Sequence, residues 1–356
     1  FIASEWIDPK VLEVIEVEHP TFMPRRQRTA VASSTSEVAA AIERGHAGEL
    51  LTERELEVLF AERRPQLVEE IRLAADSLRS EVAGDTATFV VNRNLNISNV
   101  CTVGCAFCGF GKGRRSPEAY EYGEDDFTER IRDAVSAGAT ELCIQSGIHP
   151  DWRLSDYVGW LRLAKRVAPQ IHLHAYSPME VDHMCTVEGM TPAEVFEELK
   201  AAGLGSVPGT AAEVLDDEVR ALISPNKLPA SRWVEVIEAA HTAGLPSTST
   251  VMFGHVETPA ALARHMRAIR QLQQRTGGIT EFVPLSFVPF QTRLGRSRGI
   301  TEMPMDDNLR HTAVFRLALG RSITNLQASW VKMGLEGATE ALSWGVNDPV
   351  SYTHLT

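Results

Sequence analysis

The chain has 356 residues, a net charge of −12 and a hydrophobic share of 44%. That balance suits a globular protein and gives no general attraction to nucleic acid or anionic membrane. No apolar run reaches the length of a membrane span, and five cysteines, three of them clustered, argue against a disulfide framework and for a reducing compartment, the cytoplasm.

Residues 1–24 are short and mixed, with Glu5-Trp-Ile-Asp-Pro9 as their one distinctive run. Arg25 to Ser36 is basic, then rich in Ser, Thr and Ala, and reads as a linker. Thr52-Glu-Arg-Glu55 is a capping box ahead of Leu56, Leu59 and Phe60. Between Gln66 and Val82, Leu67, Ile71, Ala74, Ala75 and Leu78 fall at helical spacing. Residues 25–85 therefore read as a linker followed by a small helical layer.

From residue 86 to 348 strands and helices alternate. The strand Ala87–Ile97 comes first. Helices are predicted at Phe127–Ala137, Leu161–Val167, Pro192–Ala202, Arg232–Ala243, Ala260–Arg275 and Asp307–Leu319. The strands that follow them are Glu141–Gly147, Ile171–Tyr176, Ser206–Pro208, Ser247–Phe253, Glu281–Phe287 and Leu326–Lys332. Most of these helices stop at glycine, the residue that best takes a left-handed turn. Repeated β-then-α units imply a parallel sheet with right-handed crossovers. An eighth strand near Ser343–Val346 would close an α/β barrel of the TIM-barrel type; a partly open barrel fits equally well.

In such a barrel the chemistry sits where strands run into loops. Cys101-Thr-Val-Gly-Cys105-Ala-Phe-Cys108 follows the first strand and puts three thiols in one short loop. Thiolates hold iron–sulfur clusters, usually four at a time. Three with no fourth nearby point to a cubane with one open iron. Structural zinc more often uses paired CxxC units, and Cys143 and Cys185 form no such pair. Zinc with a distant histidine, or a closed cluster in a non-catalytic scaffold, remains an alternative. Cys143 reads as a core residue inside a strand, and Cys185 as part of a polar loop.

Other strand ends are polar: Asn92, Asn94, Asn96, Gln145, His172, His174, Ser177, Thr210, His255 and Gln327. His172 and His174 alternate along a strand and share a face, where either could meet a polar substrate. Glu180 and Glu213 each close a capping-box pattern, Ser177-Pro-Met-Glu180 and Thr210-Ala-Ala-Glu213, at strand-to-helix turns on the presumed active face. Helix capping alone would account for both.

The cysteine loop, with Phe107 before its last cysteine, resembles the radical S-adenosylmethionine (SAM) superfamily. The resemblance implies a [4Fe–4S] cluster on Cys101, Cys105 and Cys108, whose open iron is chelated by the methionine part of SAM. One electron then cleaves SAM to methionine and a deoxyadenosyl radical. Asn92-Arg-Asn-Leu-Asn-Ile-Ser-Asn99, His174-Ala-Tyr-Ser-Pro-Met-Glu180, Pro208-Gly-Thr-Ala-Ala-Glu213, Gly254-His255 and Gln327-Ala-Ser-Trp-Val-Lys332 are similar to one subgroup, the tyrosine-using half of FO synthase, over about Gly84 to Asp348. It implies transfer of the hydroxybenzyl group of L-tyrosine to 5-amino-6-(D-ribitylamino)uracil on the way to the deazaflavin of coenzyme F420. An external electron donor and a cyclising partner half, fused or separate, are implied with it. By motif position, Phe107, Gln145, Glu180 and Glu213 are expected on the SAM side, and His174, Ser177, Thr210, His255 and Gln327 on the substrate side. The related menaquinone-pathway enzymes, aminofutalosine synthase and dehypoxanthine futalosine cyclase, share the cluster and barrel. The two glutamate motifs favour FO synthase.

Ser4-Glu-Trp-Ile-Asp-Pro9 looks like the end of the cyclising half, so residues 1–24 are read as the tail of an upstream module. Residues 349–356 resemble nothing in the family and are read as an aberrant tail.

Overall fold

The computed structural model describes residues 31–349. The upstream tail expected at 1–24, the first part of the linker and all but Pro349 of the C-terminal tail lie outside the described residues.

Three helices precede the first strand: α1 (Thr35–His46), α2 (Glu53–Ala61) and α3 (Pro65–Ala83). α1 begins inside the expected linker. Ser34 caps it by accepting from the Glu37 N–H, and Val38, Ala41, Ile42 and Gly45 form its buried face. A composition rich in Ser, Thr and Ala had masked that helical repeat. α2 opens on the predicted capping box, with Thr52 and Glu55 each capping the other's N–H. α3 buries Leu67, Ile71, Ala75 and Leu78. Phe60 of α2 sits 5.3 Å from the Phe315 ring, which also meets Phe253 at 5.3 Å and Phe282 at 5.6 Å. This aromatic cluster ties the helical layer to the barrel wall.

β1 (Asn92–Leu95), β2 (Glu141–Ile144) and β3 (His172–Ala175) form one parallel sheet. β4 (Ser247–Phe253), β5 (Ile279–Ser286) and β6 (Asn325–Leu326) form a second. Helices α4 (Glu124–Ser136) and α5 (Leu154–Val167) cross over within the first sheet. Between the sheets run α6 (Pro178–Glu188), α7 (Pro192–Ala201), α8 (Asp217–Ile223) and α9 (Ala230–Thr242). Then come α10 (Pro259–Thr276), α11 (Arg293–Arg298), α12 (Met305–Leu319) and α13 (Trp330–Ala341).

Single bridges join the two sheets. His174 pairs with Ser206 and Val207 with Ser247, so the predicted strand Ser206–Pro208 is reduced to two linking residues. On the far side Gln327 pairs with Asp348, and the Thr88 N–H donates to the Asn347 carbonyl at 2.9 Å. Six strands and two bridge positions thus complete a TIM-like barrel.

Several expected strands are shorter than their hydrophobic runs. The first covers Asn92–Leu95 only, and β6 stops at Leu326, because Trp330 already starts α13. The eighth strand expected at Ser343–Val346 is instead a 3₁₀ turn at Leu342–Trp344. Its cause is Arg316, whose fully buried guanidinium donates to the carbonyls of Gly345 (2.6 Å) and Thr324 (2.9 Å) and to Asn347 Oδ1 (2.7 Å). Burial pulls Arg316 down to about 9. Gathering these acceptors bends the chain before residue 347 can pair. Cys185 lies on α6 and is buried, not in a polar loop.

Replacing Arg316 by Met leaves several buried acceptors without a donor. It should cost about 3 kcal/mol of stability in denaturant unfolding. A second test concerns His265, a fully buried residue whose Nδ1 accepts the Leu215 N–H at 3.0 Å. Burial pulls its pKa from the usual 6.5 to about 3. With the folded pKa below the unfolded one, its stabilisation is complete above pH 6.5 and is lost as pH falls toward 3. Urea midpoints between pH 6.5 and pH 4 should show a loss of about 1.4 kcal/mol per pH unit that His265→Gln removes.

Candidate active site

The cysteine loop leaves β1 and is pinned on every side. Val100 bridges Lys112 in parallel, and the Cys101 N–H donates to the Lys112 carbonyl at 2.9 Å. The Thr102 N–H reaches the Ile148 carbonyl, and the Ala106 N–H the Ile223 carbonyl at 2.8 Å. Asn226 Nδ2 donates to the Val103 carbonyl at 3.1 Å. Two glycines make the loop possible. A side chain on Gly147 would place its Cβ 2.3 Å from the Val100 carbonyl oxygen. One on Gly111 would sit 3.1 Å from Cys101 Cβ, 3.6 Å from Cys101 Sγ and 3.8 Å from Cys108 Sγ. The sulfurs of Cys101 and Cys108 therefore border one open space, and the Gly111 N–H donates to Cys108 Sγ at 3.3 Å.

The donor set fits an iron–sulfur cubane, in which each thiolate takes a different iron. Burial pushes the Cys105 thiol up to about 11, opposed by the charge of Lys227.

Lys227 was not singled out by sequence; its loop, Ser224-Pro-Asn-Lys227, carries no periodic or motif signal. Its Nζ donates to Glu213 Oε1 at 2.5 Å and lies 5.2 Å from the centre of the Phe107 ring. Burial disfavours the Lys227 charge, but Glu213 outweighs it and holds the ammonium above its usual range. The Thr210–Glu213 run is not a capping box: α8 starts later, capped by Asp216. Ala211 and Glu213 have φ of 62° and 47°, the left-handed region. Arg220, also missed from sequence, enforces that turn. Its buried guanidinium donates to the carbonyls of Ala212 (2.6 Å) and Leu228 (2.5 Å), and so fixes the two segments that carry Glu213 and Lys227.

Glu180 is a genuine N-terminal cap and more. Oε2 accepts from the Ser177 N–H (2.8 Å) and hydroxyl (2.7 Å), while Oε1 accepts from the Ser146 N–H at 2.9 Å. One carboxylate thus locks the loop after β2 to the loop after β3. Burial pushes it up to about 7 against these hydrogen bonds. Next to Ser146, Gln145 Oε1 accepts from the Thr210 hydroxyl at 2.6 Å, and Trp233 Nε1 donates to the Thr210 carbonyl at 3.0 Å. Phe107, Gln145, Ser177, Thr210 and Glu213, on loops, and Glu180, in the first turn of α6, therefore all lie beyond the strand C-termini, with the cysteines.

Of the remaining predicted residues, His255 follows the C-terminal end of β4 and the other two lie deeper. His255 has a buried side chain, with Nε2 2.9 Å from the Met252 carbonyl, and acts on the end of β4. His174 and Gln327 lie lower in the barrel: His174 Nδ1 is 2.7 Å from Ser206 Oγ, and Gln327 Nε2 donates to Glu281 at 2.8 Å.

A parallel barrel with an open three-cysteine loop at its C-terminal face defines a radical SAM enzyme. Residues 95–269 match the radical SAM superfamily, and residues 276–353 match the CofH/MqnC C-terminal region. Among solved structures, methylornithine synthase (PylB) shares the fold at TM-score 0.66 and 17% identity, over 86% of this chain and 84% of that one. The [FeFe]-hydrogenase maturase HydG does so at 0.69 and 15%, over 90% and 68%. The chain is 47% identical over 275 residues to the 5-amino-6-(D-ribitylamino)uracil--L-tyrosine 4-hydroxyphenyl transferase of Archaeoglobus fulgidus, covering 77% of this chain and 78% of that protein. It is 40% identical over 336 residues to the protein of that name from Cyanothece sp., covering 90% and 87%. FO synthase of Mycobacterium leprae matches at 43% over 282 residues, which is 79% of this chain and 33% of that protein. The chain belongs to the 5-amino-6-(D-ribitylamino)uracil--L-tyrosine 4-hydroxyphenyl transferase family.

Gly111→Ala should lower iron bound per chain after anaerobic reconstitution while leaving the far-ultraviolet circular dichroism unchanged, because the added methyl occupies space beside the Cys101 and Cys108 sulfurs.

Proposed function

We propose that the chain transfers the hydroxybenzyl group of L-tyrosine to 5-amino-6-(D-ribitylamino)uracil. The observation that carries this reading is the meeting, on one barrel face, of the three-cysteine loop, the Lys227–Glu213 pair and the Gln145–Thr210 pair, in a chain of this family. Cys101, Cys105 and Cys108 hold a [4Fe–4S] cluster. With SAM bound, that group would pass one electron from an external donor to SAM, giving methionine and a deoxyadenosyl radical able to remove a hydrogen atom from tyrosine.

The chain's own residues orient and enclose. Phe107 sits on the loop beneath Lys227 and lends that ammonium its ring face. Glu213 and Gln145 offer carboxylate and amide oxygens on the SAM side. Glu180 serves that side indirectly, since both its oxygens bind backbone N–H groups. Ser177 and Thr210 set the substrate side of the same loops, and His255 fixes the end of β4 behind them. His174 and Gln327 offer polar groups further down the barrel. The enclosing wall keeps water and stray hydrogen donors from a radical.

An external donor supplies the electron, and a cyclising half, fused or separate, takes the product. The cluster calls for a reducing compartment, and we place the protein in the cytoplasm; no helix among the described residues is long and apolar enough to cross a membrane.

Anaerobically reconstituted, reduced protein given SAM, tyrosine and the ribitylaminouracil should yield the hydroxybenzyl adduct. Turnover of a futalosine-type substrate with no adduct would overturn the reading. Cys105→Ala should reduce SAM cleavage to background, whereas Cys143→Ala, at a fully buried position, should retain cleavage and lose only stability.

A further inference from the structure

The opposite end of the barrel holds a cavity of about 340 Å³. Asn92, Glu141 and His172 are the first residues of β1, β2 and β3, and all three line it, so it lies at the N-terminal mouth. His174, Thr248, Glu281, Gln327 and Asp348 complete its polar wall. The cavity is built rather than incidental. Ser206 Oγ lies 2.7 Å from His172 Nε2 and 2.7 Å from His174 Nδ1, fixing both rings through one hydroxyl. Gly205 makes room for this: a Cβ there would lie 2.4 Å from His172 Cε1. Across the cavity Gln327 Nε2 donates to Glu281 Oε1 at 2.8 Å, and the Thr88 hydroxyl donates to Asp348 Oδ2 at 3.0 Å.

The wall favours a ligand rich in hydroxyls. Burial drives Glu141 and Glu281 up, and His172 and His174 down, so all four move toward their uncharged forms. Amides, hydroxyls and imidazoles donate and accept, and carboxyls accept, which matches alcohol groups that do both. The cavity also sits at the right depth. His174 pairs with Cys143 on β2, and Gln145 is two residues further along, an advance of about 6.6 Å. Thr248 Oγ1 accepts from the Gly209 N–H at 3.0 Å, directly before Thr210. The inner end of the cavity is therefore one strand layer beneath the Gln145–Thr210 pair.

We infer that this lower cavity binds the ribityl arm of the uracil substrate, so that the pyrimidine ring stands above it, facing the cysteine loop. The inference rests on the transferase reading. It assigns His172 and Glu141, neither of which that reading needs, to recognition of a linear polyol.

The test compares the ribitylaminouracil with 5,6-diaminouracil, which lacks the arm, as acceptors in the reconstituted, full-length holoenzyme with tyrosine and SAM. The readout is the ratio of kcat/KM for the two acceptors. His172→Ala and Glu141→Ala should each lower that ratio about tenfold, the effect of losing a hydrogen bond to a buried polar group. An equal fall for both acceptors would mean a structural role, and an unchanged ratio would place the arm elsewhere; either result overturns the inference. No adduct from either acceptor with the unaltered chain would instead overturn the transferase reading on which it stands. Agreement of the two variants guards against a folding defect in one of them.

Discussion

Arg220 carries its guanidinium out of water to bind the carbonyls of Ala211, Ala212 and Leu228. The geometry of the catalytic face depends on this contact. A buried cation with carbonyl partners is costly unless its donors are satisfied, and satisfying these donors goes with left-handed backbone at Ala211 and Glu213. That bend turns Glu213 toward Lys227, and Lys227 toward Phe107 and the cysteine loop. One interior charge thus sets the position of another, and both end beside the thiols.

The same device recurs where the barrel closes. Strands of four residues or fewer, such as β1, β2, β3 and β6, supply few ladder hydrogen bonds to orient the loops that follow them. Side chains take over that work. Glu180 joins the loops after β2 and β3, and Arg316 holds the turn before the closing bridge at Asp348. Function gains from the arrangement, because short strands leave loop backbone and polar side chains around the central space. The cysteine loop then needs room more than force, and Gly111 and Gly147 provide it.

The barrel interior is polar along its whole depth, from Asn92 and Glu141 at the bottom to Gln145 and Thr210 at the top. In a barrel meant only to be stable, apolar side chains would fill that space. Two polar zones one layer apart suit a substrate with a reactive ring at one end and a hydroxylated chain at the other.

The chain itself determined the β-then-α rhythm, the three-thiol loop with its missing fourth ligand, and the capping boxes at Thr52 and Ser177. Each is a local pattern: helical period, ligand spacing or a contact three residues apart. β4 was legible to the residue because its uncharged run, with Thr248, Thr250 and Val251 β-branched, is bounded by Pro246 and Gly254. Tertiary structure decided the rest. The Thr210–Glu213 run has the letters of a capping box, but Arg220 ten residues on dictates another turn. The eighth strand gave way to a bend fixed by Arg316, 29 residues before the carbonyl of Gly345 that it binds. Lys227 has no local signature, since its importance lies in partners, Glu213 and Phe107, that only folding brings near. His172 and His174 read as one face of a strand, and only the barrel shows that this face closes a cavity below the reactive loops. Contacts between residues far apart in sequence leave no periodic trace, and here they place the site.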